Sequence, residues 1–258
     1  AMINQQKQRG ATLIVVLFLL LAIIVLGTLA IRQSLIGLSI ATNSQAQQLL
    51  LQNSDAAFFN TEREDNIIQA LSSSGMFGYI SGATDKDKEM VFCFRGEENS
   101  FFDINRASII YWGAGQTAPT NNEFGTDGYC NASKTTTTNF FTSGRKAVMT
   151  QVAVKFSSIS DNDPFFGEQF GTDGETVKFD RAKPVKLFAV SVMPTLTNAD
   201  PNDINSCFRN HMSEVTIPKG TTVSATANSR KSITECLSDL NVPYSSYVSE
   251  YVIVQDFV

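Results

Sequence analysis

One stretch limits what this chain can become. Ala11 to Ile31, ATLIVVLFLLLAIIVLGTLAI, is 21 residues without a charge, interrupted only by Thr12, Gly27 and Thr28. As a helix it rises about 30 Å, the thickness of a bilayer's hydrocarbon core. In that core only a helix can satisfy such a segment's backbone N–H and C=O groups. Lys7 and Arg9 stand just before the stretch and Arg32 just after it. The positive flank is expected on the cytoplasmic side and everything after Arg32 on the other. A cleaved secretory signal would have a shorter apolar run and a prompt Ala-x-Ala site, and neither is present. A plain signal anchor is the simple alternative. The third reading rests on the boundary: a short polar leader ends in Lys7-Gln8-Arg9-Gly10, and the apolar run starts at the next residue, Ala11.

Beyond Ile31 the chain stays helical in character, with no proline before Pro119. Apolar residues recur at Leu35, Leu38, Ala46, Leu49, Leu50, Ala56, Ala57, Ile67, Ile68 and Leu71, with Gln33, Asn43, Gln45, Gln47, Gln48, Gln52 and Asn53 between them. This spacing predicts one face of a helix. The whole reads as a continuous helix, apolar all round to Ile31 and amphipathic afterwards; two separate helices are the alternative. Thr61 and Glu64 have capping-box spacing, so the first helix is expected to end near Phe59 and a short second one to run to about Leu71.

The rest reads as strands and loops. Strands are predicted at Met90–Phe94, Ser108–Trp112, Lys146–Phe156, Val185–Met193, Glu214–Ile217, Thr222–Ala227 and Tyr247–Val254, each rich in β-branched or aromatic residues and bounded by turn formers. A short helix is predicted within 232–240. Long polar loops are expected at Ala114–Asn139 and Ser157–Gly174. Phe-Gly-Thr-Asp-Gly occurs at Phe124–Gly128 and again at Phe170–Gly174, and its Asp-Gly pair predicts tight turns. The fold class is therefore α+β: a long N-terminal helix packed on a mainly antiparallel sheet. The expected parts are a leader at 1–10, a membrane-type half-helix at 11–32, an amphipathic half at 33–72 and a globular head at 73–258.

The formal net charge is −5, and losing Lys7 and Arg9 with the leader would bring it to −7. An acidic head disfavours broad electrostatic binding to nucleic acid, which needs clustered Lys and Arg. Four cysteines, Cys93, Cys130, Cys207 and Cys236, allow three pairings, and an oxidising compartment favours two disulfides. The sequence-local pairing, Cys93–Cys130 with Cys207–Cys236, is the one expected. There is no Cys-x-x-Cys, and His211 is the sole histidine, so a zinc site is not expected. Asp161, Asp163, Asp200 and Asp203 offer oxygens to calcium without an EF-hand pattern, and solvated turns are the simpler reading. No nucleophile motif, P-loop or dinucleotide fingerprint is present, so neither an enzyme nor a cofactor is expected.

The junction Gln8-Arg9-Gly10-Ala11-Thr12-Leu13-Ile14 resembles the type III signal of prepilins, and in particular the N-terminus of the PilX-like minor pilins of type IV pili. Ser54-Asp55-Ala56-Ala57-Phe58 is similar to the Ala-Glu-Ala-Ala segment at the end of that family's first helix. The resemblance covers residues 7–59. It implies a pilin-like fold, removal of the leader between Gly10 and Ala11 by a prepilin peptidase, and N-methylation of Ala11. It also implies insertion in a bacterial inner membrane with the head in the periplasm, and then a place at the extracellular pilus tip. The implied partners are other minor pilins, the major pilin, the assembly platform and, before assembly, the lipid bilayer. One position departs from most pilins: the usual fifth-residue Glu is Val15. The Glu is held to pair with the amino terminus of the subunit ahead, so its lack implies a place where no subunit lies ahead. Gly27 and Gly37 mark where the helix is expected to loosen on filament entry. The implied function is priming of pilus assembly in a tip complex, with adhesion, twitching motility or DNA uptake as consequences. A K-type pseudopilin of type II secretion, or an anchored periplasmic binding domain that joins no filament, are the alternatives.

Overall fold

The structure is a computed structural model and describes residues 9–81, 87–133, 140–144, 146–156 and 183–253. It divides into two compact units, Ala1–Ala46 and Gln47–Val258. One helix, α1, Arg9–Glu62, runs through the first and into the second without a break. The continuous reading of this region therefore holds.

In the first unit α1 carries only its own side chains. Every large apolar residue from Leu13 to Ile31 is 47–68 % exposed. Leu35 and Leu38, expected on a buried stripe, are exposed as well. In the second unit the helix has a covered face, with Leu50, Ser54, Ala57 and Thr61 all buried. Their spacing of four, three and four puts them on one side of the helix.

The helix ends three residues later than expected. Helix α2, Glu64–Leu71, follows at once, but the expected capping box does not form. Arg63 is the N-cap and offers no side-chain bond. Thr61 stays inside α1, where its hydroxyl donates to the Ala57 carbonyl at 2.9 Å. Glu64 and Asp65 in the first turn of α2 still suit the helix dipole. Of the apolar residues in α2 only Ala70 is buried, so Ile67, Ile68 and Leu71 do not continue the covered stripe.

Six strands form one antiparallel sheet: β1 Glu89–Phe94, β2 Ser108–Tyr111, β3 Thr120–Glu123, β4 Met149–Phe156, β5 Lys183–Val192 and β6 Tyr244–Ile253. Their spatial order is β3-β2-β1-β4-β5-β6. Two three-stranded meanders thus meet at β1 and β4. Two further helices, α3 Pro201–Asn210 and α4 Ile233–Asp239, lie between β5 and β6 in sequence. The expected helix within 232–240 is α4, and a reciprocal capping box between Ser232 and Glu235 starts it.

The sheet is covered on both faces. Met90, Phe92 and Phe94 of β1, Val152, Val154 and Phe156 of β4, and Val185, Leu187 and Ala189 of β5 share a core with Ala57 of α1. On the other face Val91, Ile110, Ala153 and Phe188 lie against Met212, Val215, Ile217 and Val223. These last residues belong to the segment where strands were predicted at Glu214–Ile217 and Thr222–Ala227. No strand forms there. Their β-branched side chains pack down onto the sheet instead of joining its edge, which is the same preference for a pleated, half-buried surface satisfied from above. Burial on both faces also explains why β4 reads as an almost unbroken apolar run rather than a clean alternation; all eight of its residues are buried.

The first Phe-Gly-Thr-Asp-Gly copy makes the expected turn at Asp127-Gly128, closed by the Tyr129 N–H donating to the Thr126 carbonyl at 3.4 Å, and a second turn just before it, where the Gly125 N–H donates to the Asn122 carbonyl at 3.1 Å. The positive φ angles fall on Phe124 and Gly125. Gly128 is needed for a different reason: a Cβ there would sit 2.4 Å from the Ser108 nitrogen and from the Val91 carbonyl oxygen. The second copy, Phe170–Gly174, and the whole of the loop predicted at Ser157–Gly174 lie outside the described residues.

Candidate functional site: an apolar helix and a head locked by polar contacts

The junction expected to be cut falls in the first turn of α1, which begins at Arg9 and includes Gly10 and Ala11. From Leu13 the helix is long and apolar enough to cross a membrane, and its most apolar stretch is not buried. Val15 lies within this surface and is itself exposed. Gly27 and Gly37 interrupt neither the helix nor its surface, since a Cβ at either would meet nothing within 4 Å. In this structure both glycines stay helical.

In the head, a row of hydroxyls ties α1 to the sheet. Ser54 Oγ lies 2.7 Å from Ser191 Oγ on β5, which lies 2.8 Å from Thr150 Oγ1 on β4. Thr142 Oγ1 donates to Thr150 Oγ1 at 2.9 Å. All four residues are buried. Each hydroxyl can donate once and accept from its neighbour, so the row is satisfied along its length. Ser54 falls within the segment similar to the family's Ala-Glu-Ala-Ala, and that comparison alone would not single out its hydroxyl.

The opposite face carries charge. The strand register lines up Glu89 with Lys155, Lys155 with Lys186, and Lys186 with Glu250, across β1, β4, β5 and β6. Glu214 lies over this row. Its backbone N–H donates to Glu89 at 2.8 Å, and that of Ser213 donates to the other oxygen at 2.8 Å. Its carbonyl accepts from Lys155 Nζ at 3.0 Å, and Lys155 also donates to Thr216. Its carboxylate takes Lys186 at 2.9 Å and Lys155 at 3.7 Å. Burial pushes the Glu89 carboxyl up to about 7, against the opposing pull of Lys155 and the two backbone donors. The Glu214 carboxylate holds the Lys186 ammonium above its usual range. Lys155 is 2 % exposed, and these partners take up its buried Nζ. Glu89 and Lys155 lie inside or beside two predicted strands, and a charge at an inward strand position was the available signal.

Both disulfides are the sequence-local ones, Cys93–Cys130 and Cys207–Cys236. The second joins α3 to α4 and so brackets the segment that covers the charged face. His211 closes the same segment: its ring is buried, and Nδ1–H donates to the Lys231 carbonyl at 2.8 Å.

No family model, curated protein or solved structure matches the chain.

Of the calcium candidates, Asp161 and Asp163 lie outside the described residues. Asp200 is the N-cap of α3, where its carboxylate accepts from the Asn202 N–H at 2.8 Å, and Asp203 lies in that helix's first turn. These two serve helix initiation. Among the described residues no group of three or more His, Cys, Asp or Glu side chains is placed to hold a metal.

Proposed function

We propose that the chain is a minor pilin subunit of the PilX-like kind, which takes its place in a tip complex that primes type IV pilus assembly. The observation that carries this is α1. It starts at the basic-Gly-apolar junction, exposes an apolar surface all round through Ile31, and then acquires a covered face in the head. A helix whose only function was to be a core element would be covered along its length. In lipid such a surface packs on neighbouring helices by van der Waals fit. On leaving the bilayer, the same surface must be buried by other subunits, because its exposure to water costs about 25 cal/mol per Å².

Val15 refines the reading. A mature subunit with a free amino group on Ala11 presents a cation, and a buried cation needs a carboxylate partner. A chain with Val at this position offers its own amino group to a carboxylate behind it and none to a cation ahead. That arrangement suits a leading subunit. Adhesion, twitching motility and DNA uptake would follow from assembly and need no chemistry in this chain.

Co-expression with a prepilin peptidase tests the reading. Mass spectrometry should find a chain beginning at a methylated Ala11. An uncut chain that keeps its first ten residues would refute it and leave an anchored periplasmic domain.

A further inference from the structure

The two edges of the sheet are built differently. β3 is four residues long, its pairing with β2 shifts register between Ile109 and Tyr111, and it is tied to α3 by Asn121, whose side-chain amide donates to the Arg209 carbonyl at 2.9 Å and to Asn210 Oδ1 at 2.8 Å. Short length, irregularity and cover are the usual protections of a sheet edge. Among the described residues β6 has none of them. It is ten residues long and pairs with β5 without a register shift from Lys183–Ile253 to Val192–Tyr244. It contains no Pro, Gly or Lys, and Glu250 is its one charge. Among the described residues no strand pairs with its outer side. Half of an edge strand's N–H and C=O groups point away from its single neighbour. Between those groups Val248 is 53 % exposed and Tyr247 39 %.

We propose that β6 is a strand-addition site that takes an extended segment of another polypeptide, rich in β-branched or aromatic residues, with one Lys or Arg placed opposite Glu250. The row of backbone groups on this outer side, which no described strand takes up, selects an extended backbone as occupant. Val248 and Tyr247 select apolar neighbours on the two faces of the added strand. Glu250 is 57 % exposed, and its present partner, Lys186 at 3.7 Å, lies on the inner side, so an outer cation completes the row Glu89, Lys155, Lys186, Glu250. Self-pairing of β6 with a second copy offers Glu250 no cation, because Glu250 is that strand's one charge, so the occupant is a segment of a different polypeptide.

The test uses the full chain in detergent and a capped decapeptide of alternating Thr and Val with one central Lys. Binding should saturate, and it should slow hydrogen exchange at backbone amides within 244–253. The same peptide N-methylated on alternate residues should not bind. Glu250→Lys should weaken the Lys peptide about fivefold and favour a Glu peptide instead, with a retained cooperative thermal transition showing that the head is still folded. No saturable binding to the folded chain, or undiminished binding of the N-methylated peptide, overturns the proposal. So does a dimer of the chain that protects the same amides, which would assign the edge to a second copy. Peptidase processing reads the N-terminus and not β6, so the two proposals fail separately.

Discussion

Ser54 of α1 and Ser191 of β5 place their hydroxyl oxygens 2.7 Å apart in a site from which water is excluded. An apolar helix face can slide on an apolar sheet with little change in energy, but a buried hydroxyl cannot leave its partner without losing a hydrogen bond. Ser191→Ala strands Ser54, leaves Thr150 with Thr142 alone, and should cost about 1–3 kcal/mol. Ser54→Ala should cost a similar amount. The double variant should cost less than the two combined, because Ser54 then has no unmet partner. Urea unfolding of the four proteins in detergent measures this coupling, and strict additivity would show that the contact contributes nothing.

Glu89 makes stability depend on pH, and the sign follows from which force dominates. Two backbone donors and Lys155 favour the carboxylate; burial favours the acid and outweighs them, raising the group to about 7. In the unfolded chain a Glu titrates at about 4.3. Between those values the folded head holds a proton that the unfolded chain has released. The contribution is therefore full below about pH 4.3 and is lost as pH rises through about 7, on the order of 3 kcal/mol in all. Denaturation midpoints at pH 5 and pH 8 should show the wild type losing stability relative to Glu89→Gln as pH rises. If the donors and Lys155 prevailed instead, the wild type would gain on the variant over the same interval.

Much of this fold is legible in the sequence, and the gaps have physical causes. β1, β2, β4, β5 and β6 announce themselves by β-branched and aromatic runs, and α1 by its length without proline. β3, Thr-Asn-Asn-Glu, has no intrinsic preference for a strand; pairing to β2 holds it there. α3 carries readable signals, with Asp200 as N-cap and Pro201 in its first turn, but the same acids also suit a solvated turn or a cation. The segment 214–227 has strand-like composition because it packs on a pleated surface, and composition does not distinguish lying on a sheet from lying in it. The polar locks are the least legible. Ser54, Thr142, Thr150 and Ser191 are ordinary residues until the chain brings them together, and Glu89 gains its meaning only when Glu214 covers it.

The Cys207–Cys236 bond closes the segment that covers the charged face, and removing it tests how far that cover stands alone. A loop of this size constrains the unfolded chain by about 3–4 kcal/mol in the chain-entropy picture. Replacing both cysteines by Ala should lower stability by that order. It should also open the 211–232 segment first, since few of its backbone groups belong to regular structure. Limited trypsin digestion would then cut after Lys219 before any site in β4 or β5. Equal protection of Lys219 in both proteins would show that Glu214 and His211 hold the segment without the disulfide.

Val15 is where the assembly reading is most exposed to experiment. In the first unit its side chain contributes to an apolar surface, so Glu at this position adds a carboxylate among exposed apolar residues such as Ile14, Val16 and Leu19. At the centre of a span a charged residue costs about 2.5–3.5 kcal/mol on insertion scales, and Val15, the fifth residue of the 21-residue span, lies near its end, where the cost is smaller. In a filament the carboxylate would meet the amino group of the subunit ahead and recover that cost as an ion pair. Val15→Glu should therefore release the subunit from the leading position and let it enter the shaft. Labelled wild-type subunits should appear only at filament ends, and Val15→Glu subunits along the length. If the two distribute alike, the missing carboxylate does not set the position, and the head must.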